Sequence, residues 1–306
     1  MGMERDLESY FDSFKTINQI EKGFSYDNKY LAVDEDGKKY VIRTADLNQQ
    51  ASKLKEYEML KEAEKRGVQS SGPVDFGIIE SLNICYMIVR YIEGEEALDV
   101  LPGLTVSEQY EIGFKAGLEL HALHAIPAPP SPHTWYEAAS AKHQRYADAY
   151  VGLDIQLEYG DRAGQFIDQH LHLLKGRPRT FQHDDFHPAN LIVKDRKYAG
   201  CIDFNRHDFG DPYHDFYKVA LFSREVSVPF SAGQIDGYFK DGIPHDFWAL
   251  YSVYAAMSIF SAVVWTKRET PHLMDEMLSR LNMIAADHSD FDQCEPEWYK
   301  TFSVKM

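Results

Sequence analysis

The 306-residue chain is poor in cysteine. Cys85, Cys201 and Cys294 are scattered and odd in number, so neither a disulfide framework nor a cysteine metal site is expected. Such sparse usage fits a reducing, cytoplasmic setting. Positive charge is also short. Lys and Arg number 32 against 48 Asp and Glu, a net charge of −16. A surface this acidic argues against nucleic acid and anionic membranes as partners and is compatible with a cationic small molecule. No apolar run approaches membrane-spanning length, and residues 1–12 are charged, without the apolar centre of a signal peptide. Repeats and low-complexity tracts are absent. What is present is 44% hydrophobic residues, 13% of all residues being aromatic, enough for one large domain or two lobes.

The most informative stretch is 181–215, FQHDDFHPANLIVKDRKYAGCIDFNRHDFGDPYHD. Leu191-Ile192-Val193 reads as a strand, 194–197 as a polar turn, and 198–202 as a second strand. Asp185 and Asn190 precede this hairpin and Asp203 follows it, so three oxygen-bearing side chains are expected at one end. Phosphoryl transfer needs such a set: oxygen ligands for magnesium and a carboxylate facing the acceptor hydroxyl. The spacing follows the kinase pattern of an Asp/Asn pair and a later metal-binding Asp. It gives Asp185 as catalytic base and Asn190 and Asp203 as metal ligands. A loop rich in Asp and Asn can also be only a set of turns. His183-Asp184 could alternatively be the metal dyad of a phosphohydrolase.

His183-x-Asp185-x-x-x-x-Asn190, Ile202-Asp203-Phe204 and Gly210-Asp211-Pro212-x-x-Asp215 together resemble the aminoglycoside phosphotransferase group, which shares its kinase-like fold with choline kinases. The resemblance implies an α+β, bilobal protein kinase-like fold. A small N-terminal antiparallel sheet lobe with one helix would span 1–93, and a larger, mostly helical lobe 94–306. It implies ATP or GTP and Mg²⁺ as cofactors, a small-molecule acceptor, and a structural turn at Gly-Asp-Pro. The family usually has Gly where this chain has Asp184. That extra charge either raises the pKa of Asp185 or turns to solvent.

Residues 3–20 have the apolar spacing of a lead-in helix, followed by strands at 30–33 and 39–43 around an Asp-Gly turn. The loop at 22–29 is the counterpart of the phosphate-covering loop, which carries over Gly23 and Ser25, although one Gly is far from a full glycine fingerprint. Arg43 stands where kinases place a phosphate-binding Lys; it is either that clamp or an exposed strand-end Arg. In the helix 47–66, Glu58, flanked by Tyr57, Met59 and Leu60, is the expected partner of Arg43. Strands at 73–79 and 84–90 lead to a hinge, where the resemblance implies backbone contacts to the base near Arg90 and Ile92.

The later helices are expected near 105–127 with Ser107 as cap, 135–150, 161–174, 217–222, 233–239, 247–265 and 272–286, ahead of an acidic tail. The 247–265 helix reads as buried core. The reaction expected is transfer of the γ-phosphate to a hydroxyl of a small, cationic molecule such as an aminoglycoside, by a monomer or homodimer. Choline, homoserine, methylthioribose, a macrolide or another sugar remain as acceptors. A catalytically silent nucleotide-binding protein is the alternative from another class, motivated by Asp184 and Arg43.

Overall fold

The computed structural model describes residues 2–21 and 27–303. The chain forms two compact units, one of residues 1–94 with 199–205, the other of 95–198 with 206–306. The expected 1–93 segment is thus joined by a piece of the later chain, and that piece carries Asp203.

The first unit begins with helix α1 (Gly2–Tyr10), then strands β1 (Phe14–Ile20), β2 (Asn28–Asp34) and β3 (Lys39–Asp46), helix α2 (Gln50–Lys65), and strands β4 (Pro73–Ile79) and β5 (Ile84–Arg90). The strands form one antiparallel sheet in the order β1-β2-β3-β5-β4. The single helix expected over 3–20 is corrected to a helix and an edge strand. Its apolar residues Phe14, Ile17 and Ile20 recur every third position, like one face of a helix. The register with β2 slips between Phe14 and Thr16, a bulge that puts Phe14 and Ile17 on one face, while Ile20, three regular steps on, lies on the other. Leu7 and Phe11 pack with Ile17, Tyr30, Ala32, Ile42 and Ile88 as the core on one sheet face.

The second unit continues with β6 (Glu95–Glu96), α3 (Ala97–Val100), α4 (Val106–Leu123), α5 (Trp135–Val151), α6 (Gly160–His170), β7 (Thr180–Gln182) and β8 (Leu191–Lys194). Strand β9 (Lys197–Cys201) carries the chain across to the first unit. Then come β10 (Asp208–Gly210), the single turn α7 (Arg224–Val226), α8 (Val228–Tyr238), α9 (Phe247–Glu269), α10 (Met274–Asp287) and α11 (Glu297–Ser303). Thr105, not Ser107, caps α4: its hydroxyl accepts from the Glu108 N–H, and the Glu108 side chain accepts from the Thr105 N–H, a capping box. The helix expected at 217–222 is a π-turn at Val219–Ser223, α8 starts earlier than 233, and the acidic tail ends in α11 with Trp298 and Tyr299 buried.

Helix α9, at 23 residues, is long and apolar enough by composition to cross a membrane, beyond the length expected. Yet 72% of its most apolar window is buried inside the protein. An all-round apolar helix packed among α5, α6 and α10 is the core of a large helical unit.

Candidate active site

The loop after β7 is held by a buried carboxylate. Asp215 is fully buried; one oxygen accepts from the His183 N–H at 2.7 Å and from His124 Nε2 at 3.1 Å, the other from the Asp184 N–H at 2.9 Å. Burial pushes this carboxyl up, but the hydrogen bond and charge of His124 outweigh it and hold it below its usual range. Asp211 braces the same region. It accepts both forks of Arg177, at 2.7 and 2.9 Å, and the Tyr254 hydroxyl at 2.7 Å, and it caps the turn that follows. Phe186 anchors the loop from inside at 0% exposure.

Asp184 has a φ of +57°, the left-handed region that favours glycine and that Asp tolerates. The requirement is one of backbone shape, and here a side chain is carried at a small cost. Its carboxylate accepts from the Tyr217 hydroxyl at 3.1 Å and lies 3.8 Å from His214 Nδ1. It does not point freely to solvent, and Asp185 beside it is held below, not above, its usual range.

The Asp185 carboxylate is partly exposed, at 23%. Its Oδ1 lies 3.0 Å from Lys218 Nζ and 3.1 Å from His187 Nε2. Burial alone would raise this carboxyl; the charge of Lys218, with His187, outweighs it and holds the group ionised well below the usual range. Asn190, in the turn Pro188–Asn190, donates its Nδ2 to the Asp185 carbonyl at 2.9 Å. That bond orients the amide, and its Oδ1 is the atom that could ligate a hard cation.

Asp184, His214 and Asp215 place their ligand atoms within 4.8 Å of one another. As a metal centre the group is poor. Both oxygens of Asp215 are already spent on N–H donors, and Asp184 is engaged by Tyr217. The phosphohydrolase reading therefore finds no open ligand set here.

In the first unit, Arg43 is 8% exposed in the middle of a charge cluster. Its Nη2 lies 2.6 Å from Asp27 Oδ2 and its Nη1 bonds Glu56 Oε1. Lys53 joins them, 2.7 Å from Asp27 and 3.6 Å from Glu56. Burial would lower the Arg43 pKa, but the charges of Glu56 and Asp27 keep it raised. Asp27, for its part, is pushed up by burial and brought below its usual value by Arg43 and Lys53. The expected partner Glu58 is corrected to Glu56. Glu58 is 48% exposed and pairs with Lys61 at 3.0 Å. Residues two apart on a helix face different ways, whereas Glu56, Leu60 and Ala63 share the buried face. Apolar neighbours in sequence are not neighbours on that face. Asp27 and Lys53 escaped the sequence reading; Lys53 is one turn before Glu56 on the same face, which was the available signal.

Asp203 also has a left-handed backbone, φ +68°. Its Oδ1 is buried and accepts no hydrogen bond from the described residues, while Oδ2 is 4.0 Å from Lys29 Nζ. A buried carboxylate oxygen without a donor, on a strained backbone, fits a cation ligand. At the hinge, the Arg90 N–H is committed to the Gly72 carbonyl at 2.8 Å and its guanidinium pairs with Glu64. The Arg90 N–H is therefore taken within the sheet; Ile92 lies beyond β5 and is half-buried. Gly23 and Ser25 lie outside the described residues.

Among curated protein sequences none matches this chain. Solved structures do. Aminoglycoside phosphotransferase APH(4)-Ia, as a thermostable mutant in a ternary complex with ADP and hygromycin B, superposes with a TM-score of 0.69 at 16% identity, covering 95% of this chain and 99% of that one. The GDP complex of aminoglycoside 2′-phosphotransferase-IIIa gives 0.68 at 14%, covering 92% and 97%. The gentamicin complex of APH(2″)-IIa gives 0.62 at 15%, covering 91% and 95%. These likenesses establish the fold. The profile of the family described as "Phosphotransferase enzyme family" matches residues 16–252, most of the chain, including Arg43, Glu56, Asp185, Asn190, Asp203 and Asp215, and the chain belongs to that family.

Proposed function

We propose that this protein transfers the γ-phosphate of ATP or GTP to a hydroxyl of a small molecule. The observation that carries the reading is the Asp185 carboxylate. It is ionised, one oxygen is pinned by Lys218 and His187, and Oδ2 accepts no hydrogen bond from the described residues. An acceptor hydroxyl donating to that oxygen is oriented for attack, and its proton passes to Asp185 as the phosphoryl group moves. Because this carboxylate is a weak base, orientation comes first and proton transfer late, as a loose phosphoryl transition state allows. Asn190 and Asp203 are the oxygen donors we assign to magnesium, which supplies charge neutralisation on the phosphates when bound. Arg43 steadies the nucleotide side through the cluster with Glu56.

The acceptor we favour is cationic, such as an aminoglycoside. Supporting this are the net charge of −16 and the complexes of structural neighbours with hygromycin B and gentamicin. Choline, homoserine, methylthioribose, a macrolide or another sugar alcohol are the competing acceptors. ADP or GDP release, measured with Mg·ATP and Mg·GTP against panels of aminoglycosides, amino alcohols and sugars, tests the reading. Acceptor-dependent release should fall by at least about 100-fold in Asp185→Ala and be abolished in Asp203→Ala. Full activity in Asp203→Ala sinks the mechanism. A silent nucleotide-binding protein has one observation in its favour, the enclosure of Arg43 by two carboxylates. It predicts nucleotide binding with no turnover on any panel.

A further inference from the structure

Lys218 carries a charge that the fold has no use for. The residue is 6% exposed, and among the described residues its ammonium meets a single carboxylate, Asp185 Oδ1 at 3.0 Å. Aromatic faces lie beside it: Tyr217 with its ring centroid at 4.8 Å and Phe222 at 5.3 Å. The ring of His187, which holds the same carboxylate oxygen, packs on Phe222 at 4.8 Å. Desolvating an ammonium and a carboxylate together costs stability that an apolar pair of the same volume would not. Such an arrangement is retained where something other than stability is selected.

The backbone points the same way. Lys218 is the residue that opens the π-turn Val219–Ser223, closed by the Arg224 N–H on the Val219 carbonyl. A π-turn inserts one residue into a helical turn, weakens its hydrogen bonding, and re-aims the side chains on either side. Here Lys218 stands at its start and reaches Asp185, and Phe222 inside it packs on His187, the other group that holds that carboxylate.

We infer, resting on the phosphotransferase reading above, that Lys218 is a positioning residue for the transfer: it clamps Asp185 Oδ1, so that Oδ2 alone is presented to the acceptor hydroxyl. His187 supplies the second point of the clamp, and Phe222 fixes both donors. Without the ammonium, the carboxylate can rotate and offer either oxygen, and the hydroxyl loses its fixed line of attack. Misplacing a reacting group by about 1 Å costs on the order of 100-fold in rate.

The test uses full-length Lys218→Met, which keeps the stem and removes the charge, and Lys218→Arg, which keeps the charge. Lys218→Met should lower kcat by about 10- to 100-fold while KM for nucleotide and acceptor stays within about threefold. Lys218→Arg should recover most of that loss. In an Asp185→Asn background, Lys218→Met should cost no more than about twofold, because it acts through that carboxylate. Unchanged kcat in Lys218→Met, or full additivity with Asp185→Asn, overturns the inference. A crystal structure of Lys218→Met decides it without turnover. A rotated Asp185 side chain supports the clamp, and an unmoved one refutes it. A protein that shows no acceptor-dependent turnover while its Asp185 rotates in this variant disproves the phosphotransferase reading and leaves the clamp standing. Should Lys218→Met not fold, Lys218→Gln carries the same comparisons.

Discussion

Glu56 and Glu58 stand two residues apart on α2 and live in different electrostatic worlds. Glu56 is 2% exposed, with Arg43 on one side and Lys53 on the other. Removing its charge leaves a buried guanidinium with Asp27 alone, and breaking a buried pair of this kind costs about 3 kcal/mol. Glu58→Gln trades a solvated contact with Lys61 and should stay within about 0.5 kcal/mol of the parent. Denaturant unfolding of Glu56→Gln and Glu58→Gln measures both, and nucleotide affinity should follow the same order. Equal midpoints for the two variants would show that Arg43 is anchored by Asp27 alone. The proposed site residues Asp185, Asn190 and Asp203 can be picked out from their spacing along the chain alone. The partner of Arg43 cannot, because it depends on which way a helix faces the sheet.

Elements show the same division. Strands β4 and β5 and helix α5 were readable from local pattern, since pattern and burial agree there. Strand β1 was not, because a bulge puts Phe14 and Ile17 on one face and Ile20, on the other face, happens to continue the three-residue spacing. Two features depended on partners far along the chain. In the hairpin turn, Asp195 and Arg196 both take positive φ, 49° and 62°, the backbone of a type I′ turn without its usual glycine, and Arg196 reaches Glu108 on α4 at 2.6 Å. The crossing of α4 and α8 is built on Gly113, Gly117, Gly233 and Gly237, each facing backbone of the opposite helix. A Cβ at Gly117 would lie 2.1 Å from the Gln234 carbonyl oxygen, and one at Gly237 2.0 Å from that of Phe114. Gly117→Ala should therefore destabilise by about 3 kcal/mol or more, since backbone cannot step aside. Gly164→Ala, in α6 with open space around the position, should stabilise by about 0.5–1 kcal/mol through helix propensity. The same substitution thus carries opposite signs at two helical sites, and thermal melts of the pair check it.

For the whole molecule, pH is the variable that sums these environments. Burial lowers His288 to about 4 and also holds His214 below its usual value. Unfolded histidines take up protons near pH 6.5. Stability from these neutral imidazoles is present above that pH and is lost as pH falls toward their folded values. Asp27, Asp185 and Asp215 are likewise lowered in the folded protein. Their contribution holds down to about pH 4, where unfolded carboxylates begin to protonate, and is lost below it. Asp287 works against this, because burial raises it despite its bonds to Arg224. On the alkaline side, burial raises Tyr217, Tyr238 and Tyr254 well above the usual phenol, so their stabilisation is lost as pH climbs past about 10. The expected curve has a plateau between about pH 7 and 10, and each proton of difference between the states tilts it by about 1.4 kcal/mol per pH unit. Acid loss should come in two steps, a gentle one beginning near 6.5 and a steep one below about 4. Unfolding midpoints in urea, recorded from pH 3 to 11, trace it. A flat response down to pH 4, followed by one steep fall, would mean that the buried histidines are protonated in the folded protein or free to titrate as they do in the unfolded chain.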